Sequence, residues 1–187
     1  MAARWCGVRH VVWNLRCSSL DARGSASSRR LLQRLLAAVS GWPSAVISNS
    51  VEGQRAHEAL GYHPKAWHLI PNGIDTRAFA PDAEARARTR AAFGYGSTDL
   101  VVGIAGRSHA MKDHATFLRA AAIVAGAEPR ARFLMVGRGI ADEPGLRGLA
   151  DVVGADRVLM AGERKDIAAL LNGMDAFALS SAWGEGF

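Results

Sequence analysis

From Leu100 onward, short apolar runs return at near-regular intervals, each followed by a stretch of helical periodicity, and that alternation restricts the chain to one class of fold. The runs are Leu100–Ala105 (LVVGIA), Arg132–Val136 (RFLMV), Arg157–Ala161 (RVLMA) and Asp175–Leu179 (DAFAL). Each carries apolar residues on both faces, the pattern of a strand buried between two layers. Three helices are expected between them. The first is His114–Ala125, where Phe117, Leu118, Ala121, Ala122 and Ala125 recur at helical spacing; Pro144–Val153 and Asp166–Asn172 follow, the last with Ile167, Leu170 and Leu171. Strands joined by single helices build a parallel sheet with right-handed crossovers, so an α/β chain with a Rossmann-like half is expected.

The earlier part of the chain repeats the theme less clearly. Val11–Trp13, Ala45–Ser48 and Trp67–Ile70 read as strands, the last ending at a Pro-Asn-Gly turn. Arg29–Val39 is an amphipathic helix with Leu31, Leu32, Leu35, Leu36 and Val39 on one face. Its paired leucines favour packing on a sheet over a membrane anchor. An apolar strand stands within the first dozen residues with no complete βαβ unit before it, and no returning helix follows the last strand. The expectation is two Rossmann-like domains, residues 1–69 and 70–187, both incomplete, in a fragment truncated at both ends.

Composition removes several functional classes. With 49% hydrophobic and 21% charged residues in 187, the chain is neither disordered nor collagen-like. Cys6 and Cys17 cannot make a disulfide framework, the apolar runs fall short of the roughly 20 residues of a membrane span, and Arg4, Arg9 and Arg16 interrupt any secretory signal. The cytoplasm is the expected compartment. Residues 1–65 hold nine Lys/Arg against three Asp/Glu, whereas the remainder is balanced at 14 each. A basic first third suits an anionic membrane face, or simply reflects a chain with 20 Arg and three Lys. Few aromatics interleave there and no RNA or DNA motif is present, so no nucleic-acid partner is expected. Cys6, His10 and Cys17 lack a zinc spacing, and no metal is expected.

Ligands of open parallel sheets bind beyond the carboxyl ends of the strands, which here means the loops Gly106–Lys112, Gly137–Asp142, Gly162–Lys165 and Ser180–Phe187. The first places Gly106, Arg107, Ser108 and Lys112 just ahead of a helix opening near Asp113, so two cations and free backbone N–H groups are expected to converge on one anion site. His109 and His114 flank that loop, where solvated or capping roles are expected. There is no GxxxxGK[ST] and no GxGxxG after a strand; Val136-Gly-Arg-Gly139 has the tight turn alone. Ser50 precedes no acid and base at triad spacing.

Taken in order, Ile70-Pro-Asn-Gly-Ile-Asp75, Gly106-Arg-Ser-His-Ala-Met-Lys112, Val136-Gly-Arg-Gly139, Gly162-Glu-Arg-Lys-Asp166 and Glu185-Gly-Phe187 resemble the group 1, or family four, retaining glycosyltransferases of GT-B fold. The resemblance covers about residues 45–187 and, more loosely, the chain from Trp13. It implies a sugar transferred with retention from a nucleotide-diphosphate sugar, such as a UDP- or GDP-sugar, to a glycan or lipid-linked acceptor, by a hexosyltransferase-type enzyme with no cofactor. By the same resemblance, Arg107 and Lys112 with Gly106 would hold the donor diphosphate, and Glu185 would contact the transferred sugar as the catalytic carboxylate. Gly186 and Phe187 would offer backbone contacts to sugar and phosphate, while Gly137, Gly139, Glu163, Arg164 and Lys165 would form nucleotide-binding loops. The chain departs from the family at Asp113, where glycine is usual and where a helix N-cap is expected instead. It departs also at Cys17, which stands where relatives have histidine, and at its end, which precedes the family's second glutamate. The missing second glutamate and the incomplete sheets at both ends predict that residues 1–187 alone are inactive. The alternative is a nucleotide-binding Rossmann module without enzymatic activity.

Overall fold

A computed structural model describes residues 5–16 and 27–183, with the side chains of residues 27–30 excepted. Two compact units are present, one reaching Gly73 and the other spanning Ile74–Ala182, with Trp183 grouped with the first. The division falls after Gly73 rather than after residue 69. Its cause is local: the Ile70 amide still donates to Ser48 O (2.9 Å), and Arg16 Nη2 donates to Asn72 Oδ1 (3.3 Å), so the Pro-Asn-Gly turn stays with the first sheet.

The first unit holds strands β1 (Val12–Leu15), β2 (Ala45–Ser48) and β3 (Trp67–Leu69), all parallel and in the order β1-β2-β3. Its helices are α1 (Ser27–Ala38) and α2 (Val51–Ala59). The expected packing of the α1 leucines on the sheet is not found. Leu31, Leu32 and Leu35 are 60%, 55% and 56% exposed, and Leu36 is exposed as well. The inward positions are Gln33, Ala37 and Ser40, and the reason is close approach at the end of the helix. Ser40 Oγ donates to Ala37 O (2.7 Å) and accepts from the His63 amide (2.8 Å), a small polar joint that would not admit leucine.

The second unit contains α3 (Ala83–Ala92), β4 (Leu100–Ala105), a 3₁₀ turn (Ala110–Lys112), α4 (His114–Ala127), β5 (Ala131–Val136), α5 (Pro144–Val153), β6 (Val158–Met160), α6 (Ile167–Gly173) and β7 (Ala176–Phe177). Its four strands form one parallel sheet in the order β6-β5-β4-β7. Thus β4 lies between the strand that follows it and the last strand, and the strand order reverses beside it. One face of the sheet buries Ile104, Phe133 and Met135 against Phe117 and Leu118 of α4 and Leu146 of α5. The other buries Val101, Leu134 and Val136 against Leu170 and Met174. Gly103 faces Met174 so closely that any Cβ would collide with that side chain. Among the described residues of this sheet, only β4 and β5 are buried on both faces; β7 is a two-residue edge strand with Phe177 46% exposed, because nothing described covers its outer side.

Helices α2 and α3 carry no apolar stripe, and periodicity gives no warning of them. Their signal is the cap. Ser50 Oγ accepts from Gly53 N (3.0 Å) and Asp82 Oδ1 from Ala85 N (2.9 Å), each with a glutamate in the first turn.

Candidate anion site at the strand reversal

The loop after β4 is built from close backbone contacts. The Gly106 amide donates to Val136 O (2.8 Å) and the Ser108 amide to Arg138 O (2.8 Å), so the parallel ladder runs on past the end of the strand. Gly137, at φ 152°, lies against the Gly106 carbonyl, and a Cβ there would strike that oxygen. Gly139, at φ 78°, passes Ser108. Lys112 is half-buried and its stem lies across Gly106, where a Cβ would stand 3.4 Å from Lys112 Cγ and Cδ.

The segment after β7 closes onto the same loop. Ser180 Oγ donates to Lys112 O and Asp113 O (2.9 Å each), and the Ala182 amide donates to Met111 O (2.9 Å). Arg107 is exposed and forms no hydrogen bond or ion pair with a described residue. Arg107 and Lys112 thus share one loop at the carboxyl edge of the sheet, beside the strand reversal where ligands of open α/β sheets bind.

The start of α4 differs from expectation. Free N–H groups of that helix are expected at the anion site, and the Asp113 carboxylate takes one of them, that of Thr116. Its Oδ1 accepts from Thr116 N (3.2 Å) and its Oδ2 from Thr116 Oγ1 (2.7 Å). Asp113 takes the left-handed conformation (φ 46°, ψ 52°), which favours glycine and which aspartate tolerates better than most residues. The expected N-cap is present. His109 caps the 3₁₀ turn, its Nδ1 accepting from Met111 N (3.1 Å).

A cavity of about 300 Å³ lies behind this loop, lined by Ser108, His109, Asp113, His114, Glu143 and Leu146 among others. Ser108 Oγ donates to the Glu143 carboxylate across it. His114 is 3% exposed, and its Nε2 has no partner among the described residues. Burial pushes its pKa below the ordinary histidine value; the Gly106 carbonyl and Glu143 oppose that shift without reversing it. The buried ring is neutral near pH 7.

Of the other expected residues, Gly137 and Gly139 line the neighbouring loop, and the Gly137 amide donates to Gly162 O (2.7 Å). Glu163, Arg164 and Lys165 are exposed after β6. Arg164 is engaged elsewhere, paired with Asp166 (Nε to Oδ1 2.9 Å, Nη2 to Oδ2 2.7 Å) and standing 5.9 Å over the Phe93 ring. Glu185, Gly186 and Phe187 lie outside the described residues, as does Cys17. Cys6 is exposed. Among the described residues no group of three His, Cys, Asp or Glu is placed to hold a metal ion, and no helix is long and apolar enough to cross a membrane.

A parallel sheet with this reversal, a Gly-Arg loop ending in lysine, and a second parallel unit before it define the GT-B class, and solved structures agree. HepE of Anabaena, in complex with UDP and glucose, superposes with TM-score 0.82 at 23% identity over 100% of this chain and 50% of its own. WaaG, a glycosyltransferase involved in lipopolysaccharide biosynthesis, gives 0.64 at 16% identity over 97% of this chain and 55% of its own. The family model of glycosyl transferases group 1 matches residues 99–187. The GDP-mannose-dependent monoacylated alpha-(1-6)-phosphatidylinositol monomannoside mannosyltransferase of Corynebacterium glutamicum is 31% identical over 127 residues, 67% of this chain and 33% of that protein. EpsF of Bacillus subtilis is 31% identical over 121 residues, 62% of this chain and 30% of its own. The chain therefore spans about a third of the length of these curated relatives.

Proposed function

We propose that the chain is part of an enzyme that transfers a hexose with retention from a nucleotide-diphosphate sugar to a glycan or lipid-linked acceptor, without a metal or other cofactor. The observation that carries this is the pairing of exposed Arg107 with Lys112, laid over Gly106, at the reversal of strand order. As the sugar departs, negative charge grows on the diphosphate, and fixed cations stabilise that charge more than the ground state. Arg107 offers a planar fork of donors and Lys112 a compact charge. The loops of Gly137 and Gly139 and of Glu163, Arg164 and Lys165 bound the space for the nucleoside. Glu185 is the carboxylate for the sugar, with Gly186 and Phe187 as backbone contacts. HepE with UDP and the GDP-mannose-dependent relative support UDP and GDP donors as the two to test.

The cytoplasmic side of a membrane is the proposed setting, with peripheral contact to anionic lipid. The outward leucines of α1 and the basic first third support it. Co-sedimentation with phosphatidylglycerol vesicles, lost in 0.5 M salt or on changing Leu31, Leu32 and Leu35 to Ser, checks the lipid contact. The main test is turnover of a nucleotide-sugar panel by the extended gene product. There, Arg107→Ala or Lys112→Ala should each cost about 2–4 kcal/mol of transition-state stabilisation, seen mainly in kcat/KM. Near-normal turnover in the double variant would overturn the site.

A further inference from the structure

The carbonyls of three consecutive residues, Met111, Lys112 and Asp113, all accept from the segment that follows β7. Ala182 N donates to Met111 O (2.9 Å), and the Ser180 hydroxyl donates to Lys112 O and Asp113 O (2.9 Å each), one proton shared by two acceptors. The two carbonyls that Ser180 holds stand on either side of the left-handed Asp113 backbone (φ 46°, ψ 52°), where the 3₁₀ turn ends and α4 begins. A residue other than glycine persists in that conformation when its surroundings hold it there. The Lys112 amide donates to His109 O (2.9 Å), so the lysine's backbone is tied at its N–H by the turn and at its C=O by Ser180. From this fixed start the stem crosses Gly106. Lysine carries its charge on a flexible four-carbon stem, so the ammonium is placed only as well as the backbone it springs from.

We propose that Ser180 is a positioning residue of the anion site, its hydroxyl holding the Lys112–Asp113 turn in the conformation from which the Lys112 ammonium meets the donor diphosphate, an inference that rests on the diphosphate reading of Arg107 and Lys112. The two cations are then anchored from opposite sides. Gly106 and Ser108, which flank Arg107, are tied to β5 and the loop after it (Gly106 N to Val136 O and Ser108 N to Arg138 O, 2.8 Å each), whereas Lys112 is tied to the segment after β7. Ser180 therefore acts on the lysine and leaves the arginine in place.

That asymmetry supplies the test. Inorganic pyrophosphate is titrated into the extended gene product, followed by NMR so that millimolar affinities are still read, for Ser180→Ala and Ser180→Thr and for Ser180→Ala combined with Lys112→Ala or with Arg107→Ala. Thermal unfolding of each variant verifies the folded state in which binding is measured. Ser180→Ala should bind about tenfold more weakly than wild type, and Ser180→Thr, which keeps the hydroxyl, should stay within about threefold of it. With Lys112 already removed, Ser180→Ala should weaken binding by less than about twofold more; with Arg107 removed, it should cost about tenfold again. A general loosening of the loop would instead lower affinity by the same factor in all three backgrounds. That result, wild-type affinity in Ser180→Ala, or no recovery in Ser180→Thr would overturn the proposal while leaving the diphosphate reading standing. Failure of the wild type to bind pyrophosphate or UDP would overturn that reading and the proposal with it.

Discussion

The two units use the same ingredients to different ends. In the second, the apolar runs of β4 and β5 become strands with both faces covered, and Val101, Leu134 and Met135 are fully buried. In the first, the buried apolar residues described include Ala37, Pro43, Ala45, Val46 and Tyr62, while the leucine face of α1 points outward. Helix α1 has the stripe and does not bury it. Helix α3 has no stripe and is held tightly, by charge. Arg90, 7% exposed, donates from Nη2 to Gly96 O (2.6 Å) and Asp99 O (2.7 Å), and from Nη1 to Gly173 O (3.3 Å) and Asp175 Oδ2 (3.1 Å). Arg86 adds Nη1 to Met174 O (2.9 Å) and Nη2 to Asp175 Oδ1 (2.5 Å). Amphipathicity thus tells that a helix needs an apolar partner, not where that partner is.

The contrast is broken or kept most sharply by truncating one leucine in each unit. Leu134→Ala should cost about 4 kcal/mol, the range for a fully enclosed leucine whose site cannot collapse. Leu35→Ala should cost less than about 0.5 kcal/mol, as for an exposed position. Urea unfolding of both variants reads the difference. A Leu35→Ala penalty near that of Leu134→Ala would show the α1 face to be covered in solution.

The polar clasp of α3 is the next lever. Arg90→Ala should cost about 3 kcal/mol, because it leaves several carbonyls and the Asp175 carboxylate without their donor. Asp175 also gives a pH signature. Burial by itself would raise its pKa, but the Val101 amide (2.7 Å), Arg86 and Arg90 outweigh burial and hold it below the ordinary aspartate value. A depressed folded pKa stabilises above the unfolded value and loses that stabilisation as pH falls through the folded one. Stability of the wild type should therefore decline as pH drops below about 4, and Asp175→Asn should be less stable at neutral pH with a flatter acid limb. Parallel acid limbs would place the sensitivity elsewhere.

How much of this was legible follows from what each residue depends on. Leu100–Ala105 and Pro144–Val153 match their expected bounds because they are set by local pattern and by glycine, aspartate and proline nearby. The loop cations Arg107 and Lys112 were legible for the same reason: a cation following a strand in βα alternation must lie at the carboxyl edge. The strand order β6-β5-β4-β7 was not, since nothing in the sequence says on which side of β4 the last strand docks. Nor was the left-handed backbone of Asp113, although its capping role was. Gly137 was singled out as a turn residue, yet its constraint is the Gly106 oxygen pressed against it, a contact between two loops.

The smallest expected effect compares the two tyrosines, one in each unit. Tyr62 of the first unit is buried and packs edge-on against His57 with ring centroids 4.9 Å apart; burial raises its pKa. Tyr95 of the second unit has a buried hydroxyl with no partner, and burial pushes its pKa up to about 12, Arg132 and Arg90 opposing. A raised phenol pKa stabilises the fold below the unfolded value and loses that contribution as pH climbs through the folded one. In alkaline titration followed at 295 nm, the wild type should show no early tyrosinate step, and Tyr95→Phe should remove the higher step. The same substitution deletes an unpaired polar atom without opening a cavity, since the ring stays against Phe93 at 6.1 Å. It should leave stability unchanged or raise it by less than about 1 kcal/mol. A loss above about 1 kcal/mol in Tyr95→Phe would mean that the hydroxyl has a hydrogen-bond partner in solution, and that the second unit is held at this point by a polar contact as well as by its core.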